Sequence, residues 1–249
     1  MGNLSTIGRI FYGIAIAAMG LLTIYYRNFP YMLLPPGHSW LTNHVLFIYI
    51  SGALLFLAGA CIIFEKSMVP ISLLLGTVFL LIFCFYFIPY ELRTSANYMH
   101  FGKWENAAKE LALAGGAFVL VRKYVLFGTI LFALTIVSFG IDHFLYAKEA
   151  ADYIPSWIPN HLFWMYFTGS ALLGSGAAII LNIKPRLFAA LLGTMIFIWV
   201  IILHLPKAMA SPFAENAGEV TSGFLALAYC GIAFVIAGAT GRTSTRPAR

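Results

Sequence analysis

The chain has 249 residues, 61% of them apolar and only 10% charged, with a mean hydropathy of +0.88. A soluble domain carries roughly 45–50% apolar and 25% charged residues, so a water-soluble globule is excluded, and disorder is excluded because it requires low hydrophobicity. The formal charge of +6 fits the positive-inside rule of membrane proteins rather than nucleic-acid binding: no Lys/Arg cluster with interleaved aromatics occurs, and the densest basic stretch is the tail Arg242, Arg246 and Arg249.

This composition points to an all-α polytopic membrane protein. At about 20 residues per spanning helix, the length holds roughly eight helices and no separate soluble domain. Apolar runs fall at 7–26, 44–64, 68–89, 107–121, 124–146, 161–182, 186–206 and 219–240. The first is too long for a signal-peptide core and lacks a small-x-small cleavage site after it, so it reads as a retained first helix. The opening Met1-Gly2-Asn3-Leu4-Ser5-Thr6 fits the short myristoylation pattern, but an extra lipid adds little to a chain already held by many spans. The fourth run is short and contains Lys109 and Glu110; its outer turn is expected at the interface, where Lys109 snorkels. Cys61, Cys84 and Cys230 are isolated within apolar runs, outside any zinc, redox or covalent-haem spacing, and read as small buried hydrophobes.

Alternate loops, assigned to opposite faces, separate the charges. One face holds Arg9, Lys66, Arg122, Lys123, Lys184, Arg186 and the three tail arginines against a single acid, Glu65. The other holds Arg27, Arg93, Lys103, Lys109, Lys148 and Lys207 against Glu91, Glu105, Glu110, Asp142, Glu149, Asp152, Glu215 and Glu219. The first face is expected to be cytoplasmic, with both termini inside, in a bacterial cytoplasmic membrane. Every histidine (His38, His44, His100, His143, His161 and His204) then lies toward the outer face, whose long loops are the better place to seek function.

The sequence resembles itself at an offset of 117 residues. Ser39-Trp40 and Asn43-His44 recur as Ser156-Trp157 and Asn160-His161, Gly52 and Gly59 as Gly169 and Gly176, Leu74-Leu75-Gly76-Thr77 as Leu191-Leu192-Gly193-Thr194, and Pro89 as Pro206. At an offset of 120, Gly8 and Gly20 match Gly128 and Gly140. Two four-helix repeats, residues 1–121 and 122–241, followed by a basic tail at 242–249, are therefore expected. An even helix number makes the repeats parallel, related by a pseudo-twofold along the membrane normal. Gly52 and Gly59, like Gly169 and Gly176, are two turns apart on one helix face and read as close helix-packing positions. Asn43-His44 and Asn160-His161, present in both copies, read as starts of helices two and six, with the Asn as a cap.

The second repeat carries Gly140-Ile141-Asp142-His143-Phe144, then Pro155-Ser156-Trp157-Ile158-Pro159, then His204-Leu205-Pro206. It resembles the DoxX-like membrane proteins, four-helix units with a G-x-x-H-F element, a P-x-W-x-P segment and an H-L-P element. The resemblance covers nearly all of the second repeat and, more weakly, the first. It implies quinone-linked redox work by analogy, as the membrane subunit of a complex with a redox partner. The first repeat departs from it: Thr23 stands where His143 stands and Phe87 where His204 stands, so that repeat is expected to be scaffold.

The candidate site is Asp142, His143, Trp157, Trp164, Tyr166, Trp199 and His204 in the outer half of the second repeat. Ionisable groups within spans are costly and point to function. An imidazole and a carboxylate can serve a quinone head group; two histidines on facing helices can ligate haem; an aromatic-lined cavity can hold a lipid or small apolar solute. Against these stands an interfacial belt of Trp, Tyr and His with no ligand. No nucleophile–base pair, phosphate loop or metal-ligand spacing argues for self-contained catalysis. The different-class alternative is a non-catalytic carrier or membrane-organising protein.

Overall fold

The computed structural model describes residues 2–35, 44–93, 99–212 and 218–239, whose regular elements are all helical. His38, Ser39-Trp40, Asn43, Glu215 and the tail arginines lie outside the described residues. The helices are α1 (Asn3–Tyr26), α2 (Val45–Ile63), α3 (Met68–Arg93), α4 (Glu105–Val119), α5 (Val125–Leu145), α6 (Ala147–Ala151), α7 (His161–Ile180), α8 (Pro185–Ala210) and α9 (Gly218–Ala239). Seven of them, all but α4 and α6, are long and apolar enough to cross a bilayer. Uninterrupted apolar sequence becomes helix there because lipid offers backbone N–H and C=O groups no partner outside the segment.

The fourth of the eight expected spans is the one that is not among these seven. With 15 residues, α4 rises only about 22 Å at 1.5 Å per residue, short of a hydrocarbon core of about 30 Å. It packs in the interior against α3, α5 and α9. Ala112, Leu113, Ala114 and Ala117 on it have no exposed surface. Small side chains make this possible, since backbones must come close where packing rather than hydrophobic transfer drives association.

The same physics sets the long contacts. α1 lies along α2 and α9, while α5 lies along α7 and α4. A Cβ on Gly8 would stand 2.4 Å from the Gly231 carbonyl oxygen, and one on Gly128 would stand 2.4 Å from the Gly115 carbonyl oxygen. Only glycine permits these two crossings.

Proline shapes α3 and α8. Pro89 and Pro206 have no N–H to give, and the ladder widens just before each, into π-helical turns at Phe83–Phe87 and Val200–His204. The two turns are 117 residues apart. Left-handed backbone shows the same spacing: Glu65 (φ 58°) and Ser67 (φ 47°) before α3, Asn182 (φ 57°) and Lys184 (φ 42°) before α8.

The bundle has two distinct ends. A Cβ on Gly238 would touch the Ser5 side chain, and the buried Arg9 guanidinium donates to the carbonyls of Ile62 and Ile63, so the α2–α3 turn shares this end with the start of α1 and the end of α9. The Tyr26 hydroxyl donates to the Pro212 carbonyl at 3.1 Å, which joins α1 to the segment just after α8 at the other, long-loop end. Asn160 takes the expected place before α7, yet its side chain makes no cap hydrogen bond. It adopts a left-handed conformation, φ 57°, and its backbone carbonyl receives the N–H groups of Phe163 (2.9 Å) and Trp164 (3.3 Å).

Candidate functional site

A cavity of about 530 Å³ lies among α4, α5, α7, α8 and α9 toward the long-loop end. Chain direction sorts its lining by depth. α5 and α8 run toward the long-loop end, so Ile136 and Met195 lie deep and Asp142, His143 and His204 near the mouth. α4, α7 and α9 run the other way, so Glu105 and Glu219 lie at the mouth and Leu172 and Leu225 lie deep. The result is an apolar floor beneath a polar rim.

His143 is oriented by its own helix. Its Nδ1 lies 2.7 Å from the carbonyl oxygen of Phe139, one turn earlier. A carbonyl oxygen only accepts, so Nδ1 carries the hydrogen and the neutral ring keeps Nε2 as an acceptor. His204 closes the π-helical turn that precedes Pro206, a register change that helps set where its side chain projects. Both histidines are half-buried and line the same cavity from different helices. Asp142, beside His143, has both carboxylate oxygens out of solvent and without a hydrogen-bond partner. Trp199 also lines the cavity.

Three predicted residues stand elsewhere. Trp164 is one layer back, its ring edge-on to Trp199 at 6.3 Å between centroids. Trp157 is 69% exposed and Tyr166 44% exposed, and neither lines the cavity. Tyr166 instead meets Phe144 on the outer surface. Alternation along a helix cannot tell a lipid-facing aromatic from a cavity-facing one when both faces are apolar.

The structure adds residues that sequence reading missed. Glu105 and Lys109 on α4 form an ion pair at 2.6 Å, one turn apart, and Lys109 also donates to Asn106 at 3.2 Å; their i,i+4 spacing was a visible signal. Tyr229 on α9 is 6% exposed, its hydroxyl without a partner, and its ring meets Phe132 and Phe139 of α5. Nothing near it in sequence marks it. The roof is held by Tyr146, whose hydroxyl receives the Gly102 N–H at 3.2 Å and lies 3.2 Å from His100 Nδ1. A small cluster of Ala147, Ala151, Ile154, Ile158 and Met165 fastens the loop between α6 and α7 beneath it.

In the first half, the positions matching the two histidines are filled. Thr23 and Phe87 have no exposed surface, and the Thr23 hydroxyl is spent on the Met19 carbonyl at 2.8 Å. Among the described residues, no three His, Cys, Asp or Glu side chains come together as a metal site. No family model, no curated protein and no solved structure matches this chain.

Proposed function

We propose that this membrane protein binds a small lipophile in the cavity, its polar head at the rim and its body against the floor. The observation that carries the reading is the cavity's division, with Asp142, His143 and His204 above Ile136, Leu172 and Met195. Its volume lies within the range typical of small-molecule sites, roughly 300–1,000 Å³. A quinone is the lipophile that the DoxX-like resemblance suggests, and binding one would make the chain the membrane subunit of a redox complex.

The test is mass spectrometry of the organic extract from purified wild type beside the His143→Ala/His204→Ala double variant. A lipophile enriched in wild type and depleted in the variant is expected. Identical bulk lipids in both extracts overturn the reading and leave a membrane-organising role.

The reading includes a duplicated ancestry, with repeats at 1–121 and 122–241. It is supported by the paired π-helical turns, the paired left-handed turns and the mirrored glycine crossings. It also places the short-loop end in the cytoplasm, supported by Arg9, Lys66, Arg122, Lys123, Lys184 and Arg186 against Glu65 alone. Single cysteines at Lys66 and Lys148, labelled from outside intact cells, should react only at Lys148; labelling confined to Lys66 reverses the orientation.

A further inference from the structure

Resting on the lipophile reading, we propose that the cavity's ligand is a lipophilic organic cation, an ammonium with N–H donors, whose head is received by Asp142. The inference comes from what the wall offers. Among the described residues, the lining acids are Glu105, Asp142 and Glu219, and the lining cation is Lys109. Lys109 is committed to Glu105 at 2.6 Å, which leaves Asp142 and Glu219 without an ion-pair partner. Lys207, at the same end, is held over the ring of Tyr153 at 3.7 Å, so one rim tyrosine already receives an ammonium on its face.

The hydrogen-bonding groups agree with the charges. Both oxygens of Asp142 are desolvated and unpartnered. His143 turns its hydrogen to the Phe139 carbonyl and has Nε2 left to accept. Tyr229, more than nine-tenths buried, also lines the cavity, and its hydroxyl has no partner. Buried polar groups are normally satisfied, and each one left open calls for a partner. A ligand that donates hydrogen bonds and carries positive charge completes Asp142 and His143 together. A neutral carbonyl compound can take the Tyr229 hydroxyl, but it meets Asp142 and His143 as acceptor against acceptor and leaves the carboxylate uncompensated.

The test uses the full chain in nanodiscs of zwitterionic lipid, with quenching of tryptophan fluorescence as the readout. The probes are 4-phenylbutylamine, its neutral isostere 4-phenylbutanol, and a short-chain ubiquinone. The amine should bind about 10-fold or more tightly than the alcohol, and Asp142→Asn should remove about 10- to 100-fold of amine affinity while lowering that of the alcohol much less. Tyr229→Phe should raise the melting temperature of the ligand-free protein, because an open buried hydroxyl is gone, and weaken the amine. Equal binding of amine and alcohol, or ubiquinone binding best, overturns the cation inference and leaves the lipophile reading standing. If none of the three binds, both fail. The comparison of amine with alcohol on wild type decides the matter even if Asp142→Asn does not fold.

Discussion

Arg9 and Glu65 meet at 2.9 Å, the arginine side chain 6% exposed and the glutamate 54% exposed. The same guanidinium donates to the carbonyls of Ile62 and Ile63, at the end of α2. A helix end leaves its last carbonyls short of internal partners; here the Glu65 N–H reaches Ile62 only at 3.4 Å, and a side chain from another helix adds a charged donor to both carbonyls. Arg9→Ala should therefore cost about 2 kcal/mol or more, as buried acceptors lose a charged donor. Glu65→Ala should cost about 1 kcal/mol or less, because an exposed pair is weak. Thermal melts in one detergent compare the two; equal losses would show that the carbonyls do not need the guanidinium.

The glycine crossings make a second prediction. Gly8→Leu and Gly115→Leu drive a side chain into a facing backbone, and overpacking at sites that cannot relax costs about 1–3 kcal/mol or more. Gly174, where an added Cβ meets nothing within 4 Å, faces outward. Gly174→Leu should give a monodisperse protein on gel filtration, and the other two should not. A well-behaved Gly8→Leu protein would refute the close crossing of α1 and α9.

Glu110 on α4 has no exposed surface, and neither carboxylate oxygen has a hydrogen-bond partner. Replacing an unpaired buried acid with an apolar residue of similar volume is often neutral or stabilising. Glu110→Met should match or exceed wild type in melting temperature. A gain in stability accompanied by lost ligand binding would mark the carboxyl as functional. A loss of more than about 2 kcal/mol would mean that the carboxyl has a partner.

The two outlying aromatics separate a lining role from a surface one. Trp157→Ala should leave lipophile binding unchanged, since that ring is exposed and outside the cavity. Trp199→Ala removes a wall and should weaken binding about 10-fold, in line with the loss of a large buried side chain. Titration with the bound lipophile, or with the amine probe, measures both. Sensitivity at Trp157 would extend the site onto the outer surface.

Lys184 holds φ 42° immediately before Pro185. Left-handed backbone costs a non-glycine residue roughly 1 kcal/mol, and glycine adopts it freely. Lys184→Gly should raise stability by about 0.5–1 kcal/mol, less the greater freedom that glycine brings to the unfolded chain. A lower melting temperature than wild type would mean that the lysine makes a compensating contact.

Much of this architecture was legible in the residues. Apolar runs near the length of a bilayer crossing located seven long helices, because lipid leaves the backbone no other way to satisfy itself. Proline at matching places, Pro89 and Pro206, belonged to the 117-residue self-similarity, and it is there that the two π-helical turns formed. Asp142, His143, Trp199 and His204 were placed together because polar groups within spans are expensive enough to stand out.

Tertiary structure alone decided the rest. The place of α4 depended on its neighbours: its 15 residues are covered by α3, α5 and α9. Which aromatics face inward was open, since lipid and protein interior are equally apolar; Trp199 lines the cavity while Trp157 and Tyr166 face outward. Tyr229, one tyrosine in an apolar helix, became a candidate only when α5 and α9 brought it to the cavity wall. Local chemistry specifies helices, ends and costly polar groups; the identity of a helix's facing partner is a long-range property, carried by which small residues allow two backbones to meet.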